Sequence, residues 1–311
     1  MPTTSNTPQN AWVITGPTSG IGRRAALELA RRGTVVLVGR DPEKLRELEQ
    51  EINALPQGHA VSVVADFADV NSVRRAAEQI AGLGLPISGV ANNAGGMQTK
   101  GGTSKQGWDI AFATNHLGPF AFTEALIPYL PDGAVVTFTA SGVEDPDRKP
   151  ATQAGFRGSR YLSAEASARG EFLKGGSTNV GFDAYATSKQ GNLATVFSLA
   201  RQYPRLRFRA VEPGFNPGTG LSRDAHPALQ WLARNIMQPL APMIPYWSTP
   251  KRAGKLIADT LTDPSDATGT YYDENGKPMK ASNQVSDPEF ADRYIAESRA
   301  LLATVPEARQ Q

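Results

Sequence analysis

A strand, a glycine-rich turn and a helix follow one another without pause near the start of this 311-residue chain. Ala11-Trp-Val-Ile-Thr15 reads as a buried strand, and Ile21 to Arg32 as the helix packed behind it. Between them runs Gly16-Pro17-Thr18-Ser19-Gly20-Ile21-Gly22. Glycines permit a tight turn and the close approach of a pyrophosphate, while the helix N-terminus offers free N–H groups and the positive end of its dipole. The spacing is G-x-x-x-G-x-G. A flexible loop is the alternative, but the position between a clean strand and a helix favours a dinucleotide site. Gly16, Thr18, Ser19, Gly20, Ile21 and Gly22 are therefore candidate cofactor contacts.

The same alternation continues, as expected of βαβ units and a parallel sheet. Thr34 to Val38 is a continuous apolar strand of the kind covered on both faces. Asp41-Pro42 opens a helix that buries Leu45, Leu48, Ile52 and Leu55, with Asp as N-cap and Pro at the first position. Further strands are expected at Ala60–Ala65, Ile87–Ala91, Ala134–Thr139, Arg207–Val211 and Gly269–Tyr272. Helices are expected at Val70–Ile80, Gly107–Leu130, Ala184–Tyr203 and Pro288–Leu302. The fold predicted is α/β: a doubly wound, mostly parallel sheet of Rossmann type. It occupies residues 11–311 as a single domain behind a loose tail, residues 1–10. Two stretches break the rhythm. Residues 143–182 form an insertion of about forty residues rich in Gly, Ser and Arg, longer than ordinary loops. Residues 221–248 are apolar but interrupted by Pro239, Pro242 and Pro245.

Composition closes several function classes. Lys and Arg number 32 against 30 Asp and Glu, so no strong field invites nucleic acid or a lipid surface. Cysteine is absent, which removes disulfides, thiolate catalysis and sulfur-ligated metals; the three histidines, His59, His116 and His226, are too scattered for a metal cluster. No apolar run reaches the roughly 18 residues needed to span a bilayer. The first ten residues lack the regions of a signal peptide, and a cytoplasmic protein is expected.

The end of the second strand bears on the cofactor. NAD sites place an acid there to grip the ribose 2′-hydroxyl. Here the chain reads Gly39-Arg40, and Arg23 follows the glycine turn. Two cations and no free carboxylate suit a 2′-phosphate, so NADP(H) is expected. Two ordinary surface arginines are the alternative.

Later in the chain Tyr185 and Lys189 stand four residues apart, which puts them on one face of a helix. An ammonium beside a phenol favours the phenolate and lowers its pKa. A half-buried Tyr beside a solvated Lys is the alternative. Taken with the glycine turn, Asn92-Asn93-Ala94-Gly95 after strand four and Asn115 in the next helix, the chain resembles the short-chain dehydrogenase/reductase family over about residues 11 to 220. Its C-terminal part looks like the branch with retinol-dehydrogenase-like and protochlorophyllide-reductase-like members.

That resemblance implies roles. Tyr185 would protonate a carbonyl oxygen or deprotonate an alcohol, and Lys189 would lower its pKa and hold the nicotinamide ribose. Asn115 would support a relay water near Lys189, with a backbone-bonded structural role as its alternative. Asn93, Ala94 and Gly95 would line the adenine-ribose side, and Pro213-Gly214 the nicotinamide. Asp66, with Phe67 beside it, would meet the adenine, or else cap a helix. Ser141 is the candidate for polarising the substrate oxygen, although Thr139 lies on the same face of the strand. The implied reaction is NADPH-dependent carbonyl reduction, or its reverse, on a small molecule. The two irregular stretches would wall or lid a pocket for a bulky apolar substrate, or else cover the sheet or another subunit. A non-catalytic NADP sensor of the same fold is the rival reading. Light-driven reduction of a chlorophyll precursor fits poorly, because such enzymes generally carry a cysteine at the site. Many relatives pair through the helices carrying Asn115 and Tyr185, so a homo-oligomer is expected unless the insertion blocks that surface.

Overall fold

The structure, a computed structural model, describes residues 10–97, 101–217, 237–238, 241 and 244–307. Seven strands form one sheet: β1 (Ala11–Thr15), β2 (Thr34–Gly39), β3 (His59–Val64), β4 (Ile87–Asn92), β5 (Val135–Thr139), β6 (Arg207–Val211) and β7 (Thr270–Tyr272). Their spatial order is β3-β2-β1-β4-β5-β6-β7, and every pair is parallel. Strand order reverses between β1 and β4, the point where open α/β sheets bind ligands beyond their C-terminal edges.

Side-chain alternation along the strands explains why both faces are covered. Ala11, Val13, Val36 and Val38 point into one core with helices α3 (Val70–Gly82) and α4 (Gly118–Leu126). The same core holds α7 (Val180–Gln202) and α10 (Pro288–Ala303). Trp12, Ile14, Val35 and Leu37 point into the other, with α1 (Gly20–Leu29), α2 (Pro42–Asn53) and α8 (Pro250–Thr262). The doubly wound Rossmann architecture expected from the sequence is present. No helix among the described residues is long and apolar enough to cross a membrane.

Several boundaries differ from expectation for identifiable reasons. Helix α2 is capped as expected, by Asp41 accepting from the Glu43 and Lys44 amides, but it ends at Asn53. The Asn53 side chain instead pairs with the backbone of Ala60, and Gln57 turns the chain at a φ of 64°. Leu55, expected in the core, is therefore 40% exposed. The long helix expected over 107–130 is not uniform. After Ile110–Phe112 it widens into a π-helical turn, Ala113–Leu117, before α4, and it closes as a 3₁₀ turn at Ile127–Tyr129. Pro119 explains the widening. It has no N–H to donate to the Asn115 carbonyl four residues back, and its ring would crowd that oxygen.

The insertion folds back onto the same body through short helices α5 (Lys149–Gln153) and α6 (Ala164–Ala168). Tyr161, Ala164 and Ala168 join the core that contains α7 and α10. Of the 221–248 stretch, residues 221–236, 239–240 and 242–243 lie outside the described residues. The remaining short helix, α9, spans Asn283–Ser286.

Candidate active site

Gly16 and Gly20 adopt φ values of 67° and 56°, a region that favours glycine. A Cβ on Gly16 would come within 2.9 Å of the Ala94 Cα, and one on Gly22 would overlap the Gly16 carbonyl oxygen. The turn is also tied to the strand beside it. The buried Thr15 hydroxyl oxygen accepts from the amides of Asn93 (2.9 Å) and Ala94 (2.8 Å), and the Asn93 side-chain amide donates to the Thr15 carbonyl (3.0 Å). Side chains of Asp41, Asp69, Asn179, Thr249 and Asp287 cap the other described helices of ten residues or more. Helix α1 is the exception: Ser19 is extended and makes no capping bond. Its first-turn N–H groups are left for another acceptor. A pyrophosphate is such an acceptor, so the glycine cradle and open helix end fit a dinucleotide.

The adenine end is less uniform. Arg40 is exposed, with no hydrogen bond or ion pair among the described residues. Arg23 instead forms an ion pair with Glu51 near the far end of α2. The two guanidiniums expected to converge are thus separately disposed. Asp66 is exposed and accepts from the Ala68 amide (3.0 Å). It does not cap α3, because Asp69 does. The Phe67 ring turns into the core, edge-on to Phe122 with centroids 5.5 Å apart.

At the C-terminal ends of β5 and β6 the remaining candidates come together. Tyr185 and Lys189 share one face of α7, with the ammonium 5.5 Å from the ring centroid. The Lys189 Nζ donates to the Thr139 carbonyl at 2.8 Å, and Asn192 donates to the same oxygen at 3.2 Å. Ser141 lies two residues beyond, close enough for its hydroxyl to favour the Tyr185 phenolate. Thr139 thus contributes its carbonyl to the site. Asn115 lies in the π turn, where it accepts from the Gly96 amide (2.9 Å) and donates to the Gly96 carbonyl (3.0 Å) and Ser188 Oγ (3.1 Å). This side chain locks the segment after β4 to α7. Pro213 and Gly214, the latter at φ 72°, turn the chain directly after β6.

The short chain dehydrogenase family matches residues 10–147. A Streptomyces protein, DnrU, whose name provisionally assigns it daunorubicin C-13 ketoreduction, is 33% identical over 208 residues. That match covers 67% of this chain and 66% of DnrU, just under two thirds of its length. Protochlorophyllide reductase B of rice (Oryza sativa subsp. japonica) is 28% identical over 93% of this chain and 76% of its own. A short chain dehydrogenase structure from Salmonella enterica superposes with a TM-score of 0.60 at 27% identity, covering 86% of this chain and 96% of that one. This chain belongs to the short-chain dehydrogenase/reductase family. Its relatives place it on the branch with retinol-dehydrogenase-like and protochlorophyllide-reductase-like members.

For a short-chain dehydrogenase/reductase the electrostatics of this site are unexpected. Burial pushes the Tyr185 phenol up, the Glu212 carboxylate adds to that, and Ser141 opposes it. Burial pushes Lys189 down to about 8, against the pull of Glu212. In the protein alone, burial and Glu212 outweigh Ser141 at the phenol, while the Lys189 ammonium donates to the Thr139 carbonyl. Glu212 was invisible as a site residue, although it directly precedes Pro213-Gly214. The available signal was a carboxylate placed straight after an apolar strand, where charge is rarely buried without a purpose. Aromatic packing was also missed. Phe156 of the insertion stacks on Phe182 (centroids 4.3 Å apart) and lies 6.4 Å from the Tyr185 ring, with Met97 and Val143 packed beside them.

Proposed function

We propose that this protein reduces the carbonyl of a bulky, largely apolar small molecule with NADPH. The observation that carries this reading is the convergence of Ser141, Tyr185 and Lys189 on the sheet edge that also holds the uncapped start of α1. When bound, the cofactor supplies the hydride. Tyr185 gives its hydroxyl proton to the substrate oxygen, and Ser141 steadies charge developing there. Lys189, held by the Thr139 carbonyl, keeps positive charge beside the phenol and is the residue we assign to the nicotinamide ribose. Arg40, with no hydrogen bond or ion pair among the described residues, is the residue we assign to the 2′-phosphate. Arg23 would join it only by leaving Glu51.

Support for an apolar substrate comes from the walls around Tyr185. Phe156, Phe182, Met97 and Val143 form one side, and exposed Phe215 packs edge-on against Trp247 (5.0 Å) near the Pro213–Gly214 turn. Pockets for small molecules are mostly lined in this way. The ketone substrate in the name of DnrU is consistent with the reading. A sensor that binds NADP without turnover has no use for Ser141, Tyr185 and Lys189 gathered at one place.

A panel of ketones, aldehydes and quinones, assayed by cofactor oxidation with NADPH and NADH in parallel, tests this. Turnover should favour NADPH, and Arg40→Glu should cut that preference by about tenfold or more, since the charge-assisted contact becomes repulsive. Faster turnover with NADH in the wild-type protein would refute the cofactor assignment.

A further inference from the structure

Arg148 carries a positive charge from the insertion to the edge of the site, and the reaction described above gives it no role. Its side chain is half-buried. A Cβ on Gly142, the residue directly after Ser141, would stand 2.7 Å from the central carbon of the guanidinium, so the cation lies against the chain just beyond β5. The same group sits 5.5 Å from the ring centroid of Tyr246, which is 48% exposed. Tyr246 belongs to the other wall. Its carbonyl accepts from the Phe215 amide at 2.8 Å, and Trp247, packed on Phe215, follows it in the chain. Arg148 therefore bridges the insertion and the Phe215–Trp247 wall, next to the strand end that carries Ser141.

What this guanidinium lacks is an oxygen. Its side-chain partner among the described residues is the Met279 thioether, with Nη1 4.0 Å from Sδ, a weak acceptor. The other arginines of the insertion show the contrast. Arg169 pairs with Glu165 at 2.6 Å and Glu171 at 3.0 Å, and Arg157 and Arg160 donate to backbone carbonyls. Two buried carboxylates of the region are held by neutral donors instead. Glu212 accepts from the Gly142 and Gly214 amides and the Tyr271 hydroxyl, and Glu144 from Ser282. Arg148 thus keeps a planar fork of N–H donors, the geometry that suits the two oxygens of a carboxylate.

We propose that Arg148 is a specificity-determining residue that binds a carboxylate of the substrate while the carbonyl of the same molecule is reduced at Tyr185. This inference rests on the reductase reading above and adds a substrate class to it: a bulky, largely apolar ketone or aldehyde that bears an acidic group. The aromatic walls take the hydrocarbon body, and the Tyr246 ring shields one face of the guanidinium and keeps it in place. A structural role, as a counter-charge for Glu212 and Glu144 or as packing on Gly142, would serve every substrate alike. Recognition of an anion serves only the charged ones.

The experiment compares kcat/KM for aryl keto acids and their primary amides, matched in shape, with NADPH and with wild type, Arg148→Gln and Arg148→Lys. Wild type should prefer each acid to its amide. Arg148→Gln should raise KM for the acids by about tenfold or more and leave the amides and NADPH affinity within about twofold. Arg148→Lys, which keeps the charge but not the fork, should restore part of the preference. Equal losses on acids and amides would overturn the proposal, and so would a wild-type preference for the amides. Should Arg148→Gln not fold, inhibition of the wild type decides. Competing with the keto amide, 2-naphthoate should act at about tenfold lower concentration than 2-naphthamide, and equal potency would overturn the proposal. If Tyr185→Phe still turns over, the reductase reading fails and takes this inference with it. If Tyr185→Phe is inert and the acids gain nothing from Arg148, only this inference fails.

Discussion

Gly22 shows how far a single residue can be read in advance. Its place in the strand–turn–helix pattern predicted a close approach, and the structure leaves no room for a Cβ against the Gly16 carbonyl. Gly22→Ala should open the turn and weaken NADPH binding by about tenfold or more, measured by fluorescence titration. Unchanged affinity would place the pyrophosphate elsewhere. Tyr185 and Lys189 were legible for the same reason as the glycines: their relation is set by four residues of local sequence. Glu212 was not, because its partners Gly142 and Tyr271 come from two other elements that only the folded sheet assembles. The direction of the tyrosine shift escaped for a related reason. Spacing reports that two groups are neighbours, but not how much water is left between them or what third charge faces them.

Strands β1, β2, β4 and β5 could be placed from their apolar runs because both faces of a parallel sheet are buried. The helix before α4 could not, since its π turn follows from one proline acting on a carbonyl four residues back. The insertion hid more. Glu144, fully buried there, accepts from the amide (2.8 Å) and hydroxyl (2.6 Å) of Ser282 at the start of α9, pinning two distant segments together. Burial raises its pKa from 4.5 to about 7. The folded state therefore holds a proton between those values that the unfolded chain releases. Stability from this group is fully present below pH about 4.5 and is lost as pH rises through about 7, by ~3 kcal/mol in all. Thermal unfolding across pH about 5 to about 8 should show the wild type losing stability that Glu144→Gln retains. Parallel curves for the two proteins would refute the assignment.

The molecule as a whole carries its own cover over the helices through which many relatives pair. Helix α10 lies across α4 and α7. Arg299 donates to Glu124 at 2.6 Å and sits over the Phe120 ring; Tyr294 donates to the Thr187 carbonyl at 2.9 Å, and Ser198 to Asp292 at 2.5 Å. Tyr161 of the insertion stacks on Tyr294 at 3.8 Å and closes the same face. The homo-oligomer implied by the resemblance is accordingly not expected through this surface, and light scattering should give a monomer near 33.2 kDa. A dimer that dissociates on mutation of α4 or α7 would contradict this. The central claim concerns one proton. NADPH titration and steady-state kinetics on Tyr185→Phe, with any carbonyl the wild type reduces, test it most directly. Affinity for NADPH within about twofold and a fall in kcat/KM of ~10²–10⁴-fold are expected. A variant that keeps its rate within tenfold would show that the proton comes from somewhere else.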